Sequence, residues 1–473
     1  MTTMEVSDSQ ASSLAAGSLR RGFRGEAGAL LRLGAPIATT QLCVMGMGFL
    51  DTAMAGRYGA VDLAGVSLGG VLLWPVFMLM SGITMAVMPM VSQLVGARRT
   101  GESGPLIRHG LWIALFSSLV MMLIMRNAEP ALLLMGADPG VTAVAAGYLQ
   151  AASWGMPAMM TYILLRQVCE GLGHTLPPML IAGTAFVLNA PINYVLIYGA
   201  FGFPELGGVG CGWATAAVMW VELGLILLVA RRPFFRATNW MGGDKAFRWA
   251  TVARIFKLGV PIGATIFLEM AVYSAISVLI ARLGVSEMAA HSIAGNINWA
   301  TYVIPMSLGS AAAIRVGFHV GARNRAGAAQ VVSTAFRISL GYAAAVSVLL
   351  VGLRFMLVGI YTTDADVALI AANLIIFIAV YQVFDDANAT MAGALRGYKD
   401  TRVPMIISLI GYWIIALPLG AVLANGALDL PTTGVYGYWG GLTIGMALVA
   451  VAMGWRLRRT SRDAALIERL AQG

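Results

Sequence analysis

Charge is what this chain has least of. Asp, Glu, Lys and Arg supply 11% of its 473 residues while 59% are hydrophobic, whereas a soluble domain carries roughly 25% charged and 45–50% apolar residues. A water-soluble fold has too little interior for that much apolar surface, so the soluble globular classes are excluded; the mean hydropathy is +0.79. Cysteine is nearly absent. Cys43, Cys169 and Cys211 lie singly in apolar stretches, without the paired spacing of a disulfide framework or metal site, and read as small buried side chains. His109, His174, His291 and His319 show no ligand spacing either. No Walker sequence occurs, so an ATP-driven pump would need a separate subunit, and nothing marks an enzyme. The N-terminal stretch holds no apolar core followed by a small-residue cleavage site, which predicts insertion through the first helix rather than a cleaved signal.

What is present is a succession of apolar runs, each close to or above the ~20 residues that cross a bilayer. They predict an all-α integral membrane protein with twelve transmembrane helices, at about 33–56, 61–95, 106–126, 142–171, 177–200, 207–230, 257–281, 287–321, 331–354, 366–395, 403–424 and 434–455. Basic residues in short loops stay on the cytoplasmic side. A cytoplasmic N-terminus leaves only Arg57, Arg126, Arg282 and Arg354 on the opposite face, with Arg166, Arg315 and Arg337 inside helices and the remaining basic residues in cytoplasmic segments. Both termini are therefore expected in the cytoplasm and the protein in the inner (plasma) membrane. The net charge of +9 follows this topology and argues against a nucleic-acid partner.

The chain is duplicated. RLGAPIATT at 32–40 returns as KLGVPIGAT at 257–265, and VGAR at 95–98 returns at 320–323, both offset by 225; HTLPPMLI at 174–181 returns as DTRVPMII at 400–407, offset by 226. Six helices followed by six similar ones predict two lobes related as parallel repeats, with substrate sites near mid-membrane. The expected segments are an N-terminal tail (1–27), an N-lobe (28–230), an exposed cytoplasmic linker (231–256), a C-lobe (257–456) and a C-terminal tail (457–473).

The repeat sorts the charges. Arg57 and Asp62 map onto Arg282 and Glu287, and a feature kept in both halves reads as structural: an acid near a helix start with an interfacial Arg beside it. Asp51, Glu269 and Asp385 break the symmetry, since their counterparts are Ile276, Val44 and Met159. A charge at mid-membrane costs roughly 2.5–3.5 kcal/mol on insertion scales, so each of the three is a functional candidate; the alternative is structural pairing with Arg166 or Arg315. Arg166 and Glu170 stand four apart and predict a helix-surface pair. Asn189 and Asn193 share a helix face and could either serve a cation or bond a neighbouring helix. The 28 methionines suit a cavity that repacks around varied ligands, but they are also ordinary apolar filler.

GMGFLDTAMAG at 46–56, PMSLGSAAAIRVG at 305–317, FVLNAPINYVLIYG with FGFPELGGVGCGWATA at 186–216, and ALRGYKDTRVPM at 394–405 resemble the multidrug and toxic compound extrusion (MATE) family, specifically its NorM branch, from about residue 28 to 460. The resemblance implies two six-helix lobes open alternately to each side. It implies an antiporter in which export of cationic or amphipathic small molecules is exchanged for Na⁺ or H⁺, with no cofactor beyond Na⁺ as a coupling ion. The family's C-lobe cation-binding acids match Glu269 in IFLEMAVYS and Asp385 in YQVFDDANA, with Tyr381 as accessory ligand; the N-lobe acid matches Asp51, with Asn189 and Asn193 as its neighbours. Asp386 has no counterpart in that pattern. Membrane lipid and small-molecule substrates are the expected partners, and a monomer already supplies both lobes. Two other readings remain: a lipid-linked saccharide flippase of the same superfamily, for which a cationic cavity would be expected, and a non-transporting membrane subunit, which leaves the three acids unexplained.

Overall fold

The computed structural model describes residues 22–134, 138–242, 246–426, 431–463 and Glu468. Most of the expected N-terminal tail and the end of the C-terminal tail lie outside the described residues, as does 243–245 of the expected linker. Among the described residues every regular element is a helix. Eleven stretches are long and apolar enough to cross a membrane by length and composition. The remaining expected span, 142–171, is two helices in series.

The chain forms two compact units. The first begins at Pro36 within α1 (Phe23–Tyr58) and contains α2 (Ala60–Thr84), α3 (Val87–Gly96), α4 (Ser103–Arg126), α5 (Glu129–Leu134), α6 (Pro139–Ser153), α7 (Met156–Gly171), α8 (Leu176–Tyr198), α9 (Gly208–Val229) and α10 (Pro233–Arg236). It ends at Gly263, inside α11 (Trp249–Ala281). The second starts at Ala264 and contains α12 (Val285–Gly321), α13 (Arg325–Gly359), α14 (Ala365–Gly397), α15 (Arg402–Leu409), α16 (Leu417–Asn425) and α17 (Val435–Arg462), together with the opening segment of α1 up to Ala35. The first segments of α1 and α11 are thus exchanged between the units. Pro36 stands at the first crossing, and its repeat counterpart Pro261 lies three residues before Ala264, where the second occurs.

Side chains hold the α1 segment in place, and close backbone packing holds that of α11. Arg315 on α12 donates from Nε to Glu26 Oε1 at 2.9 Å and from a terminal nitrogen to Oε2 at 2.8 Å. Leu30 is fully buried, and the Arg337 guanidinium lies 5.9 Å from the Phe23 ring centroid. Gly259 and Gly263 on α11 meet the backbone of Ile83 and Leu79, so closely that a Cβ at either position would clash with a carbonyl oxygen. Small residues permit such helix contacts where the bilayer offers no hydrophobic drive for association.

Helix breaks follow from proline. Pro157 and Pro89 cannot donate to the carbonyls of Ser153 and Met85, and α6/α7 and α2/α3 separate at those points. Pro418 likewise follows a π-helical turn, Ile410–Ala416, between α15 and α16. The repeat is visible in the helix ends. Arg98 (φ 57°), Arg323 (φ 55°), Gly173 (φ 82°) and Lys399 (φ 56°) all adopt the left-handed conformation, two pairs at offsets 225 and 226. In each case the next residue's N–H returns to a carbonyl five residues back: Arg99 to Leu94, Asn324 to His319, His174 to Cys169 and Asp400 to Leu395. That is the Schellman closure of a helix C-terminus.

The segment read as an exposed linker is partly packed. Phe235 and Thr238 are fully buried, Arg108 donates to the carbonyls of Asn239, Trp240 and Gly242, and His109 Nε2 accepts the Arg248 N–H at 2.8 Å. Aromatic residues explain the difference, since Phe234 stacks 4.0 Å from His174 and Phe235 packs edge-on against Trp240.

Candidate ion and substrate sites

In the first unit, Asp51 is buried where α1, α8 and α9 meet. Asn189 and Asn193 project from one face of α8 because they are four residues apart. Asn193 Nδ2 donates to Asp51 Oδ1 at 2.6 Å and Asn189 Nδ2 to the same oxygen at 3.2 Å. Thr215 on α9 donates to Oδ2 at 3.1 Å, and Asn193 also donates to Asn189 Oδ1 at 3.0 Å. The close approach of α1 and α8 requires a glycine at 46, where a Cβ would run into the Phe186 ring. Among the described residues Asp51 has no ion pair, and Asn193 Oδ1 has no hydrogen-bond partner. The cluster is a carboxylate solvated by neutral donors with an unsatisfied oxygen beside it, able to hold a proton or a small cation.

In the second unit, Tyr412 donates to Glu269 Oε1 at 3.4 Å, and the adjacent Trp413 donates from Nε1 to the Leu268 carbonyl at 3.2 Å. Both come from the π-helical turn, whose extra residue per turn shifts the side-chain register so that consecutive residues grip α11 at Leu268 and Glu269. Asp385 lies on α14, which packs against α12, α13 and α17, and its carboxylate is within electrostatic reach of Glu269 and of Asp386. Tyr381, one turn earlier, is within reach of both Asp385 and Glu269. Its ring meets Trp439 edge-on at 6.2 Å, and the Trp439 indole donates to His291 Nδ1 at 3.2 Å. The structure therefore gathers Glu269, Asp385 and Tyr381 in one place and Asp51, Asn189 and Asn193 in another.

The proposed structural partners for these acids are engaged elsewhere. Arg315 binds Glu26, and Arg166 Nε is 3.3 Å from Glu170 Oε1. Among the described residues neither Glu269 nor Asp385 makes an ion pair. The guanidinium that does lie within electrostatic reach of Glu269 is Arg396, in the last turn of α14 rather than in a loop. Asp386 is fully buried, and neither of its carboxylate oxygens has a hydrogen-bond partner. Among the described residues no group of three or more His, Cys, Asp or Glu forms a metal cluster. A Na⁺ here would draw on the Glu269 and Asp385 carboxylates and on tyrosine oxygen, donors that suit a hard cation.

Thr215, Tyr412 and Arg396 escaped the sequence reading because each acts through a contact with a distant helix. Glu222 on α9 had a readable signal. It is an acid inside an expected span, 2% exposed, and its repeat positions are Ala447 and Leu448.

A family model described as MatE matches residues 36–195 and 261–422, one match in each repeat. The chain is 40% identical over 452 residues to the multidrug resistance protein PmpM of Pseudomonas aeruginosa, with 94% of each chain covered. Its fold is similar to the crystal structure of the eukaryotic MATE transporter AtDTX14, with TM-score 0.84 at 19% identity, covering 95% of this chain and 100% of that one. It is similar also to the Vibrio cholerae MATE transporter VcmN in the bent form, with TM-score 0.83 at 18% identity, covering 94% and 99%. With both repeats matched and nearly the whole length aligned to a curated relative, this multi-pass membrane protein belongs to the MATE family of transporters.

Proposed function

We propose that the chain is a multidrug efflux antiporter of the NorM branch. It exports cationic or amphipathic small molecules by alternating access in exchange for Na⁺ or H⁺, as a monomer in the inner membrane with both termini cytoplasmic. The relative PmpM, by its name a multidrug resistance protein, supports the substrate class. The observation that carries the coupling is the second-unit cluster: Glu269, half-buried, and Asp385, buried, on different helices, within electrostatic reach of each other and without an ion-pair partner among the described residues. Two carboxylates so placed repel one another and are relieved by a cation between them. A cationic drug competes for the same negative charge, and since binding linkage is reciprocal, drug and ion each weaken the other's hold. Each net positive charge moved inward across the membrane potential supplies about 2.3 kcal/mol per 100 mV, so export of a cationic drug draws on the potential only when more positive charge enters than leaves, and otherwise on the ion's concentration gradient.

Purified protein in liposomes, given an inward Na⁺ gradient or a pH gradient one at a time, should move ethidium or norfloxacin under one of them. Transport unaffected by either gradient would overturn the antiport reading.

A further inference from the structure

We propose that His291 is a positioning residue for the second-unit carboxylate site: it ties the helix carrying Glu269 to the ring that packs on Tyr381, and so sets how tightly the coupling ion is held. That role presupposes the antiport reading above.

His291 lies in the second turn of α12 and is 1% exposed. Both of its ring nitrogens are engaged. The Trp439 indole, on α17, donates to Nδ1 at 3.2 Å, so Nδ1 carries no hydrogen. A neutral imidazole then carries its hydrogen on Nε2, which lies 2.8 Å from Ser277 Oγ on α11. Ser277 directs its own hydrogen to the Tyr273 carbonyl at 2.9 Å and is left to accept from Nε2. One tautomer therefore satisfies all three contacts.

The two partners of His291 lead to opposite sides of the carboxylate site. Ser277, Tyr273 and Glu269 follow one another at intervals of four residues and share one stripe of α11. The Tyr273 ring stacks on His291 at 4.9 Å, and its hydroxyl lies over Gly295, where a Cβ would run into it. These contacts set the rotation of the Glu269 stripe against α12. On the other side Trp439, 1% exposed, meets the Tyr381 ring edge-on at 6.2 Å, and Tyr381 stands one turn before Asp385 on α14. A cation shared between helices is held only as well as the groups behind its ligands keep those helices in register.

The repeat separates this assembly from what the two halves have in common. At the offset of 225, His291 answers to Val66 and Tyr273 to Gly48, just as Glu269 answers to Val44. The histidine and the carboxylate depart from the repeat together, as groups serving one site would.

The test is transport by the purified full-length protein in liposomes as the concentration of the driving ion is varied, with melting in detergent measured alongside. His291→Phe keeps a ring and loses both hydrogen bonds. His291→Asn puts an oxygen where Nδ1 stood and can keep the bond from Trp439, whereas His291→Gln puts an N–H where Nε2 stood and can keep the bond to Ser277. His291→Phe should raise the half-saturating ion concentration by about tenfold with little change in maximal rate, and the Asn and Gln variants should each recover part of the loss. Trp439→Phe, which keeps an aromatic ring beside Tyr381 but not the indole donor, should shift the half-saturation in the same direction, and it decides the matter if His291→Phe fails to fold. Unchanged half-saturation in the folded variant, even with a lower melting temperature, makes His291 a packing residue and overturns the proposal. A wild type whose transport ignores both Na⁺ and pH gradients sinks the antiport reading, and this role with it.

Discussion

Asp51 is a buried carboxylate held by neutral donors alone. Its neighbours Asn189, Asn193 and Thr215 donate hydrogen bonds without bringing positive charge, so they favour the anion without fixing a permanent ion pair. Asp51→Asn should therefore fold and reach the membrane but lose most gradient-driven efflux; efflux at the wild-type rate with unchanged gradient dependence would reduce Asp51 to a packing residue. In the second unit Glu269→Gln and Asp385→Asn should each express normally, abolish coupled efflux, and make residual drug binding less sensitive to Na⁺ or to pH, whichever the wild type uses. Binding measured across both titrations decides it. Arg396 lies within reach of Glu269, and if Arg396→Gln restored a poorly folded Glu269→Gln variant, the acid would be one half of a structural pair.

Helix ends make a second class of expectation. Arg98 and Arg323 hold left-handed backbone at repeat-related positions, a conformation that costs a side-chain-bearing residue about 1 kcal/mol relative to glycine. Arg98→Gly and Arg323→Gly should each raise thermal stability modestly and by similar amounts, as read by melting in detergent; a loss of stability at both positions would mean that the arginine side chains matter more than the backbone. Asp62 accepts the first N–H of α9 from Gly208 at 2.6 Å. Asp62→Ala should therefore cost about 1 kcal/mol of stability by leaving that donor without an acceptor, with transport per folded molecule retained. These elements also show what could be read from sequence. Apolar length and the repeat announced the helices, and broken symmetry singled out Asp51, Glu269 and Asp385, because both signals are local or periodic. The π-helical turn at Ile410–Ala416 and the break at Trp154–Gly155 were invisible, although Pro418 and Pro157 stood beside them. A proline states that a hydrogen bond is missing, and only packing decides whether the helix kinks, widens or stops. Tyr412 and Thr215 were hidden for a related reason: a tyrosine or threonine in an apolar run is ordinary until a distant helix brings a carboxylate to it.

At the scale of the whole molecule, the buried Glu26–Arg315 pair fastens the opening segment of α1 to the second unit. Glu26→Gln would strand a guanidinium that is only 2% exposed, and stranding one member of a buried pair costs about 3–5 kcal/mol. The variant should be poorly stable, and adding Arg315→Met should recover much of the loss; equal stability of the single and double variants would mean that the pair is not what holds the segment. The exchange of first segments between the units also has the form of a domain swap closed within one polypeptide. If the gene were cut between α10 and α11, each fragment would carry the piece that completes the other. Residues up to Ala35, with Leu30 and Leu33, would be left without the body that buries them, and the start of α11, with Gly259 and Gly263, would lose the backbone it lies against. Two such halves made in separate cells and mixed afterwards would each arrive with an unmatched apolar end, whereas halves translated together in one membrane could trade those ends as they insert.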